Sequence, residues 1–325
     1  MSPPAGSGLV IVDKPPGWTS HDVVARIRRL AGTRRAGHAG TLDPMATGVL
    51  VVGVEKATRL LGHLSLTGKG YQATIRLGQA TDTDDAEGQI ISEHPAAGLD
   101  ENRIRAAATA LTGTISQVPP AVSAVKVGGR RAYRLAREGT PAALTARTVT
   151  VSALTITAIR PAGALTDLDA DVECSSGTYI RSIARDLGAA LGTGGHLTAL
   201  RRTRVGPYAL DQAATLDELA ASWRLVPLAD AAAAAFPRLD LTHDQARLVA
   251  HGGRLPASVL AAAASPAAPA AAPPAEHAAP SVPAGPPPGG DVAGLPVAAF
   301  APDGTLVALL TEREGAARPL AVFAG

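Results

Sequence analysis

Gly37-His38-Ala39-Gly40-Thr41-Leu42-Asp43-Pro44-Met45-Ala46-Thr47-Gly48 is the stretch around which the chain is organised, and the apolar run Val49–Val54 follows it directly. Glycine allows backbone geometries that other residues resist. Pro44 fixes its own φ and biases Asp43 away from helical angles. We therefore expect Asp43 on a shaped loop that leads into a buried strand. Such loops often carry chemistry, although an ordinary Asp-Pro turn explains this segment alone equally well.

The length and composition of the chain limit the kind of protein it can be. Its 325 residues leave room for about two domains. Hydrophobic residues make up 46% and aromatic residues only 3%, so the core must be built mainly from Val, Leu, Ile and Ala. The 26 Arg and 4 Lys, together with abundant Ala, indicate a compositional bias of the source genome. The number of arginines alone is therefore weak evidence for nucleic-acid binding.

The distribution of charge is more informative than its sum. Residues 1–210 hold 24 Lys+Arg and 17 Asp+Glu, a balance of +7, whereas residues 211–325 hold 6 and 11, a balance of −5. The basic part favours a polyanionic partner. Cys174 is the only cysteine, which rules out an internal disulfide and a multi-cysteine zinc site. With no secretory signal pattern and no apolar run of membrane-spanning length, we expect a soluble, cytoplasmic protein.

Arginines cluster in three places. The first cluster lies on a helix that Thr19 or Ser20 caps and that runs to Leu30, and on its exit. Contact with phosphates and a merely solvated helix face both fit this cluster. We predict the second cluster on a helix that also carries Tyr133, and the third on a strand. The clusters are Arg26, Arg28, Arg29, Arg34 and Arg35; Arg130, Arg131, Arg134 and Arg137; and Arg201, Arg202 and Arg204.

The segment Gly78–Gly88 superficially suggests a calcium loop. We reject calcium because Ala86 occupies the fifth ligand position and the glycine falls at the seventh place instead of the sixth. A polar turn that packs beside the active site is our interpretation.

Hydrophobic periodicity predicts the remaining elements. A strand ends at Cys174 and a helix begins near Thr178, so Tyr179 and Arg181 lie near a helix start, where free N–H groups face an anion. A core tyrosine and a surface arginine are the alternative. Other predicted strands are Gly8–Asp13, Tyr71–Leu77, Ala121–Val127, Val149–Ile159, Leu168–Cys174, Pro296–Phe300 and Thr305–Thr311, and other predicted helices are Lys56–Leu64, Arg103–Leu111 and Leu216–Ala221.

The last third of the chain contains an Ala/Pro-rich segment, residues 257–290, with Glu276 as its only charge. Such a composition cannot form a packed core, and we predict that the segment is disordered or PPII-like. The segment interrupts a mainly β module at residues 230–325, in which Asp303-Gly304 makes a hairpin turn.

The Gly37–Gly48 stretch closely resembles the catalytic motif of the TruB family of tRNA pseudouridine synthases. Further matching stretches occur in the expected order: Lys14-Pro15-x-Gly17-Trp18-Thr19-Ser20, Tyr71 through Thr81-Asp82-Thr83-x-Asp85, Ser175-Ser176-Gly177-Thr178-Tyr179-Ile180-Arg181, His196-Leu197 and Leu200-Arg201-Arg202-Thr203-Arg204-Val205-Gly206. The resemblance spans about residues 8–210. It implies an α+β protein: a pseudouridine synthase fold, with a mixed, largely antiparallel sheet and flanking helices, at residues 1–229, and a small PUA-like β module at residues 230–325.

The resemblance also implies roles for individual residues. Asp43 matches the essential carboxylate, and Arg181 matches its arginine partner. Tyr71 matches the tyrosine that stacks on the target base. The other matched positions are Tyr179 and Leu200 in the pocket around the flipped nucleotide, His38 as a support of the displaced RNA loop, and Lys14 as a supporting residue near the catalytic loop.

The substrate implied by the family is uridine 55 in the TΨC stem-loop of tRNA. The three arginine clusters would then hold its backbone phosphates. The implied reaction needs no cofactor and no metal, and we expect a monomer. Two alternatives remain: an RNA-binding or RNA-folding protein whose synthase site is vestigial, and a synthase that acts mainly on another RNA. The acidic C-terminal part departs from the pattern and argues against a strong grip on RNA by that module.

Overall fold

The computed structural model describes residues 6–123, 126–127, 130–131, 144–263 and 296–324. The strands, numbered in chain order, are β1 Gly8–Lys14, β2 Ala36–Ala39, β3 Thr47–Val54, β4 Lys69–Leu77, β5 Gln79–Thr81, β6 Ile90–Glu93, β7 Gly113–Gln117, β8 Lys126–Val127, β9 Arg130–Arg131, β10 Arg147–Ala162, β11 Leu165–Cys174, β12 Gly195–Val205, β13 Tyr208–Ala209, β14 Val226–Pro227, β15 Arg238–Asp240, β16 Leu255–Pro256, β17 Val297–Phe300, β18 Leu306–Arg313 and β19 Ala316–Val322.

The α-helices are α1 Ser20–Ala31, α2 Leu61–Leu64, α3 Glu101–Ala110, α4 Ile180–Leu191, α5 Leu216–Ala221, α6 Leu228–Ala235 and α7 His243–Ala250; Glu55–Leu60, Leu210–Gln212 and Ala257–Ala262 are 3-10 helices. The chain divides into two compact units. The first consists of Met1–Pro44, Gly48–Thr67 and Arg204–Gly325, and the second of Met45–Thr47 and Gly68–Thr203.

The first unit holds the strands that precede and follow the Asp43 loop. Its strands lie in the order β14-β1-β3, and β2 also pairs with β3. β1 and β3 are antiparallel from the pair Gly8–Val54 to the pair Lys14–Gly48. Helix α1 begins after Thr19, whose side chain accepts a hydrogen bond from the N–H of Asp22 while the Asp22 carboxylate accepts from the Thr19 N–H. Of the two predicted caps, Thr19 is the one found, and the predicted strand at Gly8–Asp13 and buried strand at Val49–Val54 are confirmed.

The C-terminal residues form a second sheet within the first unit, with the order β15-β17-β18-β19-β16. β15 and β17 are parallel, and the other described pairs of this sheet are antiparallel. The predicted turn at Asp303-Gly304 is confirmed: Gly304 has a φ of 83°, and the Asp303 carboxylate accepts from the N–H of Thr305. The mainly β character of this part is therefore as predicted.

One hydrophobic core contains residues of both sheets of the first unit. It contains Leu9 of β1 and Val51 of β3 together with Phe236, Phe300 and Phe323. The predicted domain boundary between residues 229 and 230 lies inside α6, and the core includes side chains on both sides of it. The division into two domains at that point stays a prediction.

The second unit contains strands in the order β12-β4-β11-β10-β7. β4 extends the predicted strand by two residues, beginning at Lys69, and its residues Tyr71, Ala73 and Ile75 are buried on one face. Helix α4 packs against β4, and α3 packs against α4 and β10. α4 begins at Ile180, and Tyr179 occupies its N-cap position, so the predicted helix start is confirmed to within two residues.

Two predictions about local structure are wrong. Arg130 and Arg131 form β9, paired with β8, where a helix was expected. The sequence between these strands is Gly128-Gly129, a pair typical of a hairpin, which outweighs the helical spacing of the arginines. Of the predicted strand Ala121–Val127, only Lys126–Val127 is a strand within the described residues. Tyr133, Arg134 and Arg137 lie outside the described residues.

The prediction of disorder is wrong for the first residues of the Ala/Pro-rich segment. Ala257–Ala262 form a 3-10 helix because Val259 and Leu260 pack against the hydrophobic core beneath the second sheet. Residues 264–290 lie outside the described part of the chain. Among the residues that the structure describes, no helix is both long and apolar enough to cross a membrane.

Candidate active site

The Gly37–Gly48 stretch forms the end of β2, a loop and the start of β3. Gly40 and Gly48 have φ values of 78° and 96°, a region of backbone space that favours glycine. Asp43 lies half-buried between these glycines, immediately before Pro44. The predicted shaped loop with one carboxylate is therefore confirmed.

Helix α1 fixes the residue before Asp43. The Ser20 hydroxyl is buried and makes two hydrogen bonds with the backbone of Leu42: it accepts from the Leu42 N–H at 2.9 Å and donates to the Leu42 carbonyl at 3.1 Å. The Leu42 side chain is itself buried. One hydroxyl thus anchors both the N–H and the carbonyl of Leu42, the residue directly before Asp43.

Two donors fix the residue after Asp43. The Pro44 carbonyl accepts from the Gly17 N–H at 2.8 Å and from the Lys14 ammonium at 3.1 Å. Lys14 also donates to the carbonyls of Pro15 and Trp18, and its side chain is fully buried. Lys14 therefore supports the Asp43 loop from within the fold. The fully buried side chain presents no exposed surface to a substrate, which favours the predicted supporting role.

His38 lies on β2 opposite Val52 and is half-buried. Its imidazole meets the imidazole of His21, on α1, edge to face, with ring centroids 5.4 Å apart and an interplanar angle of 85°. The ring of His38 is thus oriented by a neighbouring aromatic ring. Contact between His38 and RNA stays a prediction.

Arg181, on the first turn of α4, is held by the loop that follows β5. Its guanidinium donates to the carbonyls of Thr83 and Val122, each at 2.9 Å, and lies 3.5 Å from a carboxylate oxygen of Asp85. The side chains of Arg181 and Asp85 are only 5% and 4% exposed. Buried charges in proteins are paired in this way because an unpaired one is costly to desolvate.

The acidic loop Thr81–Asp85 is therefore the turn that the calcium-like sequence encodes. Asp85 accepts hydrogen bonds from the Thr83 hydroxyl at 2.6 Å and from the N–H of Glu87 at 3.1 Å. Burial raises the pKa of Asp84, and the Arg185 guanidinium, 3.1 Å away, opposes that shift. Two carboxylates of this loop thus form ion pairs with arginines of α4: Asp85 with Arg181, and Asp84 with Arg185. The sequence signal for Asp85 was its place in the polar turn, but its partner was not apparent.

Tyr179 is positioned through its backbone. The Gln117 side chain accepts from the Tyr179 N–H at 2.8 Å and donates to the Tyr179 carbonyl at 3.1 Å. Ser182, one turn further along, donates to the carbonyl of Val118 at 2.9 Å. These bonds tie the start of α4 to the end of β7. Gln117 was not predictable as a site residue, because a lone glutamine at a strand end carries no motif.

An open cleft of about 720 Å³ lies in the second unit. Leu200, on β12, lines it, together with Gln72 and Thr74 of β4 and Asp169 and Asp171 of β11. Its other lining residues are Met45, Thr47, Ala73, Ala86, Glu87, Thr157, Ala170, Thr198, Ala199 and Arg201. Leu200 thus borders a cavity large enough for a nucleotide. Tyr71 lies on β4 opposite Val172 and is largely buried.

The predicted arginine clusters differ in accessibility. Four arginines of the first cluster are exposed, namely Arg28, Arg29, Arg34 and Arg35, and Arg26 is half-buried. Arg28 also donates to the carbonyl of Ala36, and Arg35 lies 3.8 Å from Glu55. In the third cluster, Arg202 is only 1% exposed, so the prediction that it contacts phosphate is wrong. Its neighbour Arg201 donates to the Thr47 hydroxyl at 3.4 Å. The strand alternates its faces, and that alternation places Arg202 in the interior.

The predicted site residues fall into two sets, one in each unit: Lys14, His38 and Asp43 in the first, and Tyr71, Tyr179, Arg181 and Leu200 in the second. The pairing of Asp43 with Arg181 stays a prediction. Within the described ranges, no group of three or more His, Cys, Asp or Glu side chains is arranged to hold a metal ion.

Three family models match consecutive parts of the chain. Residues 28–180 match the TruB family pseudouridylate synthase N-terminal domain, residues 181–232 match the tRNA pseudouridylate synthase B C-terminal domain, and residues 291–324 match the tRNA pseudouridine synthase II C-terminal domain. The solved structure of an H/ACA RNP bound to a substrate RNA containing 2′-deoxyuridine holds a chain 26% identical to this one. The match covers 98% of this chain and 85% of that one, with a TM-score of 0.66.

Bacterial relatives are much closer in sequence. A Thermobifida fusca protein named tRNA pseudouridine synthase B is 59% identical over 98% of this chain and 99% of its own length. An Arthrobacter protein of the same name is 56% identical over 98% of this chain and 97% of its own length. The fold is accordingly the pseudouridine synthase fold with a C-terminal β module. From its sequence and its fold, the chain belongs to the TruB family of pseudouridylate synthases.

Proposed function

We propose that this protein is an isomerase that converts uridine 55 in the TΨC loop of tRNA to pseudouridine. The observation that carries the proposal is the Asp43 loop, in which a single carboxylate stands between two anchored residues, Leu42 and Pro44. A catalytic group needs such support because a misplacement of about 1 Å costs a large part of the rate. Membership of the TruB family supports the reaction class.

The reaction is a rearrangement within one nucleotide. The bond between N1 of uracil and C1′ of ribose breaks, the base turns, and a bond forms between C5 and C1′. The hydrogen lost from C5 is balanced by the hydrogen gained at N1, so the product is an isomer and no oxidant or reductant is consumed. Asp43 is the residue that we assign to the reacting atoms. Arg181, rigidly held by Thr83 and Asp85, is its proposed cationic partner.

The second unit supplies the proposed nucleotide pocket. Extruding a base costs on the order of a few kcal/mol, which stacking and pocket contacts offset. Tyr71 and Tyr179 would face the base, and Leu200 would close the pocket. A nucleotide in a loop is a less costly target than a paired one. His38, oriented by His21, is the proposed support of the RNA where the base has left.

Phosphate contacts would come from exposed arginines of the first unit, including Arg29 and Arg34. Such contacts are independent of sequence and weaken with salt. Because residues 211–325 carry a net negative charge, we expect the C-terminal sheet to contribute less to RNA binding. We also expect the protein to be a cytoplasmic monomer.

The direct test is to map pseudouridine in an unmodified tRNA transcript after incubation with the purified protein. We expect one pseudouridine, at position 55, and none in a matched transcript that carries cytidine there. Tight binding of tRNA without any pseudouridine would support the alternative of an RNA-binding or RNA-folding protein. Pseudouridine at a different position would contradict the assigned target.

A further inference from the structure

A groove of about 330 Å³ lies on the surface of the first unit, beside the start of α1. It is lined by Gly17, Trp18, Asp22, Ala25 and Arg29. Trp18, one of the two tryptophans of the chain, is 37% exposed. The function proposed above takes Arg29 as a phosphate contact but gives no role to Trp18 or to the groove as a whole.

The backbone of Trp18 is fixed to the catalytic loop. The buried Lys14 ammonium donates to the Trp18 carbonyl at 2.7 Å and to the Pro44 carbonyl at 3.1 Å. The Gly17 N–H donates to the same Pro44 carbonyl. One cation therefore binds both the backbone of Trp18 and that of Pro44, the residue after Asp43.

The floor of the groove is one face of α1. Asp22, Ala25 and Arg29 are spaced three and four residues apart, so their side chains share that face. Seven residues of helix separate the Cα atoms of Asp22 and Arg29 by about 10 Å. The small Ala25 side chain leaves the middle of the groove open. An aromatic surface thus stands at one end of the groove and a guanidinium at the other.

The charges of the groove favour an anion at the Arg29 end. None of the ion pairs found in the described part of the chain involves Arg29, and its side chain is exposed. The Asp22 carboxylate, at the other end, accepts from the Thr19 N–H at 3.0 Å and from the Thr19 hydroxyl at 2.6 Å. The Asp22 carboxylate is therefore already hydrogen-bonded within the helix cap. The Arg29 guanidinium can then bind a phosphate.

We propose that this groove binds one unpaired nucleotide of the RNA substrate, distinct from the uridine that is isomerised, with its base stacked on Trp18 and a phosphate on Arg29. The proposal rests on the proposed function only in taking RNA as the substrate. Aromatic side chains stack with any base, and arginine adds a sequence-independent phosphate contact. Because Lys14 ties Trp18 to Pro44, a nucleotide held here would set the register of the RNA on the Asp43 loop.

Tryptophan fluorescence tests the stacking directly. Trp223 is the only other tryptophan, so Trp223→Phe leaves Trp18 as the sole reporter, and we expect this control variant to keep wild-type RNA affinity. Titration with a TΨC stem-loop RNA should then quench the indole emission, because a stacked base quenches it. Unchanged emission at saturating RNA would overturn the proposal.

Affinity measurements locate the nucleotide. Trp18→Ala should weaken the Kd for the stem-loop about tenfold, with Trp18→Phe closer to wild type, since a phenyl ring still stacks. Arg29→Gln should weaken binding and lower its salt dependence. Abasic substitutions along the RNA loop should reveal one position that costs the wild type about tenfold but costs Trp18→Ala almost nothing. If every abasic position affects both proteins equally, no base stacks on Trp18.

Pseudouridine mapping with Trp223→Phe separates this proposal from the proposed function. Pseudouridine at position 55 without quenching of Trp18 emission would show that the groove does not bind RNA. The proposed enzymatic function would then still hold. Quenching without any product would keep the groove as an RNA contact and overturn the enzymatic assignment.

Discussion

Ser20 Oγ and the backbone of Leu42 form two hydrogen bonds across 22 residues of sequence, one in each direction. Leu42 precedes Asp43, so the first residue of helix α1 sets the position of the predicted reacting carboxylate. The same principle recurs at Gln117, which binds both the N–H and the carbonyl of Tyr179. In each unit, a buried polar side chain holds the backbone beside a predicted site residue.

Ser20→Ala should lower the pseudouridylation rate while leaving tRNA affinity within a few-fold. Loss of the hydroxyl leaves the Leu42 N–H and carbonyl without their partner, a cost of about 1–3 kcal/mol in the free energy of unfolding. Single-turnover kinetics and thermal unfolding should be measured together. Thr19→Ala is the matched control, because it removes the helix cap at a cost of about 1 kcal/mol but keeps both bonds to Leu42. Equal loss of rate in the two variants would show that general destabilisation, and not loop position, is responsible.

Asp43→Asn should abolish pseudouridine formation and leave the Kd for tRNA within a few-fold. The amide has nearly the same shape but lacks the charge that every role assigned to Asp43 requires. Tritium release from C5-labelled uridine measures the rate, and filter binding measures the Kd. Asp217→Asn, on the exposed face of α5, is the control for removing one carboxylate. Turnover at the wild-type rate by Asp43→Asn would end the catalytic assignment.

Local sequence signals were sufficient for much of this architecture. Turn residues and apolar runs predicted the Asp43 loop, β3 and the cap of α1, because each depends on neighbours in the chain. The supports of the site were not predictable in this way. Ser20 and Gln117 act on backbone 22 and 62 residues away, and only the tertiary fold brings those groups together. Arg202 was misassigned because an arginine in an Arg-rich chain gives no sign of burial.

Gln117→Met should reduce kcat/KM about tenfold or more, since it removes both hydrogen bonds to the Tyr179 peptide and lets the start of α4 shift. Methionine keeps the volume of the buried side chain, so the variant should still fold. Gln89→Met, at an exposed loop position, controls for the substitution itself. Steady-state kinetics on tRNA with circular dichroism of both variants would decide. Unchanged kcat/KM in a folded Gln117→Met protein would show that this contact does not position the site.

Acid should destabilise the protein through Asp167. Hydrogen bonds from the Arg76 guanidinium, at 2.7 and 2.8 Å, hold the pKa of that carboxyl below its usual range. A lowered folded-state pKa contributes stability above the unfolded pKa of about 3.9, and that contribution is lost as the pH falls through the folded value. Urea unfolding between pH 3 and 6 should therefore show a shallower acid loss for Asp167→Asn. Asp171→Asn, on the same face of β11, separates the Arg76 pair from the general effect of losing a charge there.

Two parts of the Ala/Pro-rich region should respond differently to replacement by Gly/Ser sequence of equal length. Replacing residues 257–263 should lower Tm, because Val259 and Leu260 are half-buried against the core of the C-terminal sheet and their loss costs about 1–3 kcal/mol. Replacing residues 264–290 should leave Tm and tRNA pseudouridylation close to wild type, as the composition of that stretch predicts. Equal length keeps the connection between the flanking elements constant, so only sequence is tested. A fall in activity without a fall in Tm after the second replacement would assign residues 264–290 a part in catalysis or RNA binding, which their near lack of charge argues against.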